Sequence, residues 1–282
     1  MSIKSILAPF TGNDTDRSVA IEAMRIAKFF GAQIDVIYAR GYAPQYARLG
    51  TSEISEAAYQ NSEHRLREEA QQREIGVREQ FLKLQNDIKA DGTTNVGAVL
   101  DMVDGNESDA IIEWGGAYDL LVVSNPDIGA GGMSRDVAET SLVNTGRPIV
   151  MVPSKVLETI GRRIVIGWNK SSEASRTIAT AVPFLERAED VLIVHVKTGV
   201  RRGPSAGRLT RYLELHGVNA KLREIEPDSR AVGRQLLDET DQFGADLLVI
   251  GAYSRNRLRE YKLGGVTRHI FDNASIPVLM AR

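Results

Sequence analysis

The sequence predicts an α/β protein made of two tandem copies of one unit, each a parallel sheet with helices on both faces. Two observations carry this. The chain repeats itself: Asp119–Val123 (DLLVV) matches Asp246–Ile250 (DLLVI), and Arg147–Val152 (RPIVMV) matches Ile276–Ala281 (IPVLMA). Along each copy, short apolar runs alternate with amphipathic stretches, the pattern of strand-helix-strand units around a parallel sheet. At 282 residues the length suits one large domain or two ordinary ones, and the repeat decides for two.

The expected strands of the first copy lie near residues 3–10, 33–39, 95–103, 119–124 and 148–152. Those of the second lie near 163–168, 190–197, 219–225, 246–251 and 276–281. Residues 1–153 then form the first unit and 162–282 the second, with 154–161 as linker. In the first helix Val19, Ala23, Ile26, Ala27 and Phe30 share a face, with Asp14 or Thr15 as N-cap. Its counterpart places Ala174, Ile178, Ala181, Val182 and Leu185 alike, capped by Ser171 or Ser172 and kinked near its end by Pro183. Glu63–Lys89 reads as a long charged helix packed along one stripe of Leu66, Ala70, Val77, Phe81, Leu84 and Ile88. A heptad-like stripe is also how helices pair, so a partner-binding role is the second reading. The segment before it, 42–62, carries Tyr42, Tyr46 and Tyr59.

The richest stretch for function is Ala245–Arg282. A buried apolar run ends at Gly251, a loop follows with Arg255, Arg257, Arg259 and Lys262, and Gly264-Gly265 opens a helix expected over Val266–Asn273. Glycine admits close backbone approach, and the free amides of a helix start attract phosphate, so this order builds an anion site. Thr267, in the first turn, adds a hydroxyl.

The spacing Gly251, two residues, Ser254, nine residues, Gly264, then Gly265 closely resembles the nucleotide-binding signature of the universal stress protein family. There the pattern is glycine, two residues, glycine, nine residues, glycine, then serine or threonine. This chain departs at Ser254, at Gly265, and at Asn169, where the family usually carries an aspartate near the ribose. The resemblance covers essentially the whole chain. It implies two tandem Rossmann-like domains of the adenine nucleotide alpha hydrolase-like type, each with a five-stranded parallel sheet. It also implies an adenine nucleotide at the carboxyl ends of the second unit's strands, where the order reverses. The implied binding residues are Trp168, Asn169, Val196, Gly251, Ser254, Arg255, Gly264, Gly265, Val266 and Thr267. Val196 and its neighbours, His195 among them, would meet the adenine mainly through backbone atoms, His195 itself reading as an ordinary core or rim histidine. The ligand so implied is ATP, with AMP or ADP as variants and magnesium as companion ion. Family members pair through their last strands, so the tandem chain is expected to form that pair within itself, with a homodimer as a further assembly.

The halves are not equivalent. Aligning the closing strands puts Arg135 and Asp136 where the second half has Gly264 and Gly265, and Ser124 and Asp127 where it has Gly251 and Ser254. The first half is therefore expected to have lost its phosphate site. A shifted cradle at Gly129, Gly131 and Gly132 ranks below a plain surface loop. Charge divides the same way. Residues 1–155 hold 15 basic and 22 acidic side chains, a net of −7, and residues 156–282 hold 20 and 15, a net of +5. That split favours one anionic ligand per chain and electrostatic docking of the halves.

The absence of cysteine excludes disulfides, thiol chemistry and cysteine metal sites, and His64, His195, His216 and His269 show no ligand spacing, so no metal site is expected. The chain enters a strand at once, with no signal-peptide pattern and no apolar run near the roughly 20 residues of a membrane span. A cytoplasmic protein is expected. Basic residues cluster near the predicted loop rather than in a long stripe, which argues against nucleic acid. Gly203-Pro204-Ser205-Ala206-Gly207 fits the GxSxG pattern of a nucleophile elbow, but it stands five residues past its strand, and Ser205 reads better as a helix N-cap. No P-loop or GxGxxG fingerprint occurs. The functional expectation is a nucleotide-binding stress sensor or adaptor acting on a protein partner, not an enzyme beyond slow ATP hydrolysis. A nucleotide-free interaction protein is the alternative, and a serine hydrolase using Ser205 a distant third.

Overall fold

The computed structural model describes residues 2–41, 56–90, 97–126, 133, 135–199, 203–252 and 265–282. The first half runs β1 (Ser5–Phe10), α1 (Asp16–Phe30), β2 (Gln33–Ala39), α2 (Glu56–Ala90), β3 (Ala98–Val103), α3 (Glu107–Gly115), β4 (Leu120–Ser124), α4 (Arg135–Asn144) and β5 (Ile149–Val152). The second half repeats the order with β6 (Arg163–Gly167), α5 (Ser172–Leu185), β7 (Asp190–Val196), α6 (Ala206–Leu215), β8 (Ala220–Ile225), α7 (Val232–Phe243), β9 (Leu247–Gly251), α8 (Gly265–Asn273) and β10 (Val278–Ala281). Strand pairs within each half are parallel, and the sheet order is β3-β2-β1-β4-β5-β10-β9-β6-β7-β8. The order reverses between β1 and β4 and again between β6 and β9. These are the two crevices where a ligand of such a sheet sits, outside the strands' carboxyl ends.

The halves meet strand to strand. β5 and β10 pair antiparallel, with Val278 opposite Met151, Leu279 opposite Val150 and Met280 opposite Ile149, so two five-stranded sheets become one of ten. This is the pairing through last strands that the resemblance implied. It also covers the open backbone edge that each half would otherwise present.

Because side chains alternate along a strand, each inner strand feeds two cores. Ile6, Ala8 and Phe10 of β1 join the core under α1, α2, α5 and α6, whereas Leu7 joins the one under α3, α4, α7 and α8. Both cores run through both halves. The repeated aspartate of the DLLVV and DLLVI motifs has a local task. Asp119 accepts from the Lys4 and Ser5 amides at 2.8 and 3.1 Å, and Asp246 from the Arg162 and Arg163 amides at 3.1 and 2.9 Å. Each ties the start of the fourth strand to the start of the first.

A second seam joins α1 to α5. The Phe30 and Phe184 rings meet edge to face at 4.7 Å, Phe29 stacks on Phe184 at 6.4 Å, and the Arg187 guanidinium lies over both α1 rings and donates to the Phe29 carbonyl. The Arg25 guanidinium donates to the linker carbonyl of Leu157, and Arg135 forms an ion pair with Asp272 across the halves.

Two local expectations need correction or completion. Neither Asp14 nor Thr15 caps α1 through its side chain; Thr15 stands at the cap with no such bond, and Asp16, one residue inside, takes the loop amides instead. In α5 the cap is Ser171, whose hydroxyl accepts from the Ala174 amide at 3.0 Å, and the helix closes at Leu185, two residues after Pro183. Helix α2 packs along the predicted stripe, with Ala70, Val77, Phe81 and Leu84 buried.

Phe184 has no exposed surface and sits between the halves. Phe184→Ala is expected to lower stability by about 3–5 kcal/mol. The two tryptophans, Trp114 in α3 and Trp168 after β6, report one half each, so urea unfolding of single-tryptophan variants should show both midpoints falling together.

Candidate functional site

In the second half the described residues among those predicted gather at the carboxyl edge around the β6/β9 crevice. Register places Gly167 beside Ile250 on one side and Val194 on the other, so Trp168-Asn169, Gly251 and Val196 follow one another across neighbouring strand ends. Helix α8, which follows β9 in the chain, runs back along the sheet and so opens at this edge. Its first residues, Gly265, Val266 and Thr267, carry amides that lack an intrahelical partner. Among the described residues, a side chain added at Gly265 would meet nothing within 4 Å, and Val266 is exposed. Ser254, Arg255 and Gly264, with the other loop cations Arg257, Arg259 and Lys262, lie outside the described residues.

Three predicted residues play parts the sequence did not suggest. Gly251 is required by packing: a Cβ there would stand 2.3 Å from the Ala174 amide nitrogen of α5, so the glycine lets β9 touch the helix start. Trp168 is 4% exposed and its polar atoms are engaged within the chain. Its indole donates to the Pro204 carbonyl at 3.3 Å, its amide to Val194 at 2.9 Å, and its carbonyl lies 2.8 Å from Nδ1 of His195. Since a carbonyl only accepts, Nδ1 bears the hydrogen, and the buried His195 acts as a positioning strut for the β6 end. Thr267 is 5% exposed and faces the packed side of α8 with Ile270 and Phe271, leaving its amide rather than its hydroxyl for the edge. Asn169 stays exposed and accepts from the Ser171 amide at 3.1 Å, which shapes the turn into α5.

One residue of this edge went unread. Lys170 holds φ at 63°, a left-handed conformation that a lysine adopts at a cost of about 1–2 kcal/mol. The first half uses Gly12, φ 79°, in the matching turn. Gly203 is pressed on it, since a Cβ there would lie 2.4 Å from the Lys170 carbonyl oxygen. The available signal was a cation where the turn calls for glycine. Ser205, as expected, caps α6 by accepting from the Arg208 amide at 3.3 Å.

The first half differs at the same points. Ser124, in the place of Gly251, is buried and accepts from the Met133 amide at 3.0 Å. Arg135 spends its charge on Asp272, and Asp136 sets a carboxylate in the first turn of α4. An anion meets repulsion there and gains little from the helix start, because Asp136 already occupies the favourable end of the dipole. Yet the crevice is not filled. A cavity of about 880 Å³ opens at the ends of β1 and β2, roofed by the Arg73, Gly76, Val77 and Gln80 stripe of α2 and floored by the starts of α3 and α4. A large cleft thus persists although the glycine positions are replaced, and it was not legible in advance because the α2 roof is distant in sequence from the β1 turn it covers, with Gln80 67 residues from Asn13.

Burial governs two acids at this end of the first half, Glu107 lining the cleft and Asp16 behind its Thr11-Gly12 wall. Asp16 is 1% exposed, and desolvation pushes its carboxyl up to about 6 despite hydrogen bonds from the Thr11 and Gly12 amides at 2.8 Å each. Burial, helped by the nearby Asp16 charge, also raises Glu107 at the start of α3. Among the described residues no three His, Asp or Glu side chains gather to hold a metal, and no helix is long and apolar enough to cross a membrane.

A raised folded pKa means that the Asp16 contribution is present below about pH 4 and is lost as pH rises through about 6. The wild type is expected to lose up to about 3 kcal/mol from this group across that window. Urea titrations of wild type and Asp16→Asn at several pH values check it: the stability of the wild type relative to the variant should fall by up to about 3 kcal/mol as pH rises from 4 to 7.

Comparison with known proteins places these features. Residues 161–282 match the model of the Universal stress protein family. Among solved structures, a universal stress protein from Archaeoglobus fulgidus DSM 4304 is similar over 100% of this chain and 97% of its own, at 15% identity and a TM-score of 0.69. A functionally unknown protein from Pseudomonas aeruginosa PAO1 is similar over 99% and 92%, at 14% identity and a TM-score of 0.58. A universal stress protein in complex with cAMP covers 55% of this chain and is itself wholly covered, at 20% identity and a TM-score of 0.33. At these identities the full-length similarities establish the shared tandem fold. No curated protein is a sequence match to the chain.

Proposed function

From the match of residues 161–282 to the model of the universal stress protein family, we propose that the second half of this chain binds one adenine nucleotide, ATP, and reports its presence to a protein partner. The observation that carries this is the bare start of α8. Gly265 opens the helix at the crevice edge with no described residue crowding it, directly after a stretch of sequence holding three arginines and a lysine. Backbone amides there suit the phosphates. The end of β7 at Val196 offers backbone to the base, and exposed Asn169 offers an amide to the ribose. Lys170 adds a cation to the same rim, which accounts for a strained backbone being kept where glycine would relieve it. Magnesium would arrive with the phosphates. Among the described residues of this edge none is assigned to activating water, and the role we propose is that of a cytoplasmic sensor or adaptor whose ATP hydrolysis, where it occurs, is slow.

The test is the nucleotide content and ATP affinity of the purified chain beside Gly265→Asp. That change fits sterically and copies the carboxylate of Asp136, so the fold should persist while ATP affinity falls at least about tenfold, by loss of charge-assisted contacts. An empty wild type that also ignores added ATP would leave the nucleotide-free interaction protein as the reading. Lys170→Gly separates strain from binding: it should leave stability unchanged or raise it by up to about 1 kcal/mol while weakening ATP. Calorimetric titration and urea unfolding of the same sample read both.

A further inference from the structure

The cleft of the first half stands apart from the nucleotide reading, and we infer that it is a second ligand site, built for a small zwitterion with an apolar side chain, of the amino acid or short peptide class. Three observations carry this. The cavity, about 880 Å³, lies in the size range of small-molecule pockets. Its walls have opposite polarity. From the α2 side, on the face of the sheet shared with α1, Arg73 and Gln80 supply donors. From the other face, the first turns of α3 and α4 supply the carboxylates of Glu107 and Asp136. Between them lie the apolar surfaces of Val77 and Val137, both buried in their cores.

A phosphate ligand is disfavoured on the floor, where both helix starts already hold an acid. A simple cation is disfavoured by the roof, where the neighbouring Arg40 is held in ion pairs with Glu74 and Asp104 at 2.9 and 2.8 Å, whereas Arg73 donates to the Glu69 carbonyl of its own helix and pairs with no carboxylate among the described residues. A molecule with an ammonium at one end and a carboxylate at the other meets both walls. Burial of Glu107, which raises its carboxyl, is a cost that an incoming ammonium relieves.

The experiment uses the full chain and a probe series of one shape: leucylglycine, its N-acetyl derivative, which lacks the ammonium, and its amide, which lacks the carboxylate. Binding is followed by methyl NMR at Val77 and Val137, with and without saturating ATP. Leucylglycine should give saturable shifts at both valines, unaffected by ATP, and each modified probe should bind at least about tenfold more weakly, the loss expected for one charge-assisted contact. Glu107→Gln and Gln80→Ala should each weaken leucylglycine several-fold; the second lies on the α2 surface and preserves the fold even if the first does not. Tightest binding by the N-acetyl probe, equal binding by all three, or no saturable shift at either valine in folded protein would overturn the inference. Competition by ATP at the valines would overturn it too, and would move the nucleotide into the first half, whereas failure of ATP to bind anywhere leaves this test unaffected.

Discussion

The antiparallel contact of β5 with β10 is the constraint on which the rest of the architecture depends. Four-residue strands of this kind are short, and each would be the exposed edge of its own sheet. Paired, they are buried on both faces and make the two cores continuous across the chain. Everything else at the seam follows from that pseudo-symmetric contact. α1 meets α5 through Phe29, Phe30 and Phe184, and α4 meets α8 through Arg135 and Asp272. The linker is held by Arg25 at Leu157 and by Asp246, which accepts from the Thr159 hydroxyl at 2.6 Å.

Pseudo-symmetry of the frame makes the asymmetry of the crevices informative. Both halves end a central strand at the same edge and open a helix beside it, yet one opens with Gly265 and the other with Arg135-Asp136. In the first half the two charges have been put to other uses: the arginine fastens the halves together, and the aspartate occupies the positive end of its helix. The roof differs as well, since α2 has 35 residues and its counterpart α6 has ten. The halves thus share a scaffold while presenting different chemistry at equivalent places, as fold and site are separable.

Much of the frame was legible because parallel strands buried on both faces leave long apolar runs, and DLLVV and DLLVI give the repeat directly. The Ser171 and Ser205 caps were readable for the same local reason: a hydroxyl three residues before an amide that needs it. What was not legible depended on contacts distant in sequence. Gly251 looked like a phosphate glycine, but the need for it arises where β9 touches Ala174, a contact across 77 residues. Trp168 looked like a rim residue, and only the carbonyl of Pro204 and the ring of His195 show that it belongs to the core. Helix α1 hid its anchor because Asp16 sits one residue inside the helix, where a cap is not sought. The first-half cleft was not legible because the missing glycines bear only on a phosphate site, whereas the cleft is made by the α2 roof over the β1 and β2 ends.

The central claim is that the two crevices are divided in function, with the nucleotide confined to the second. Photocrosslinking with 8-azido-ATP followed by peptide mapping tests it most directly. The account predicts one label per chain, on peptides from residues 161–282 at the ends of β6, β7 or β9. Labelling of the first-half cleft, at the β1 turn or the α2 roof, would contradict it.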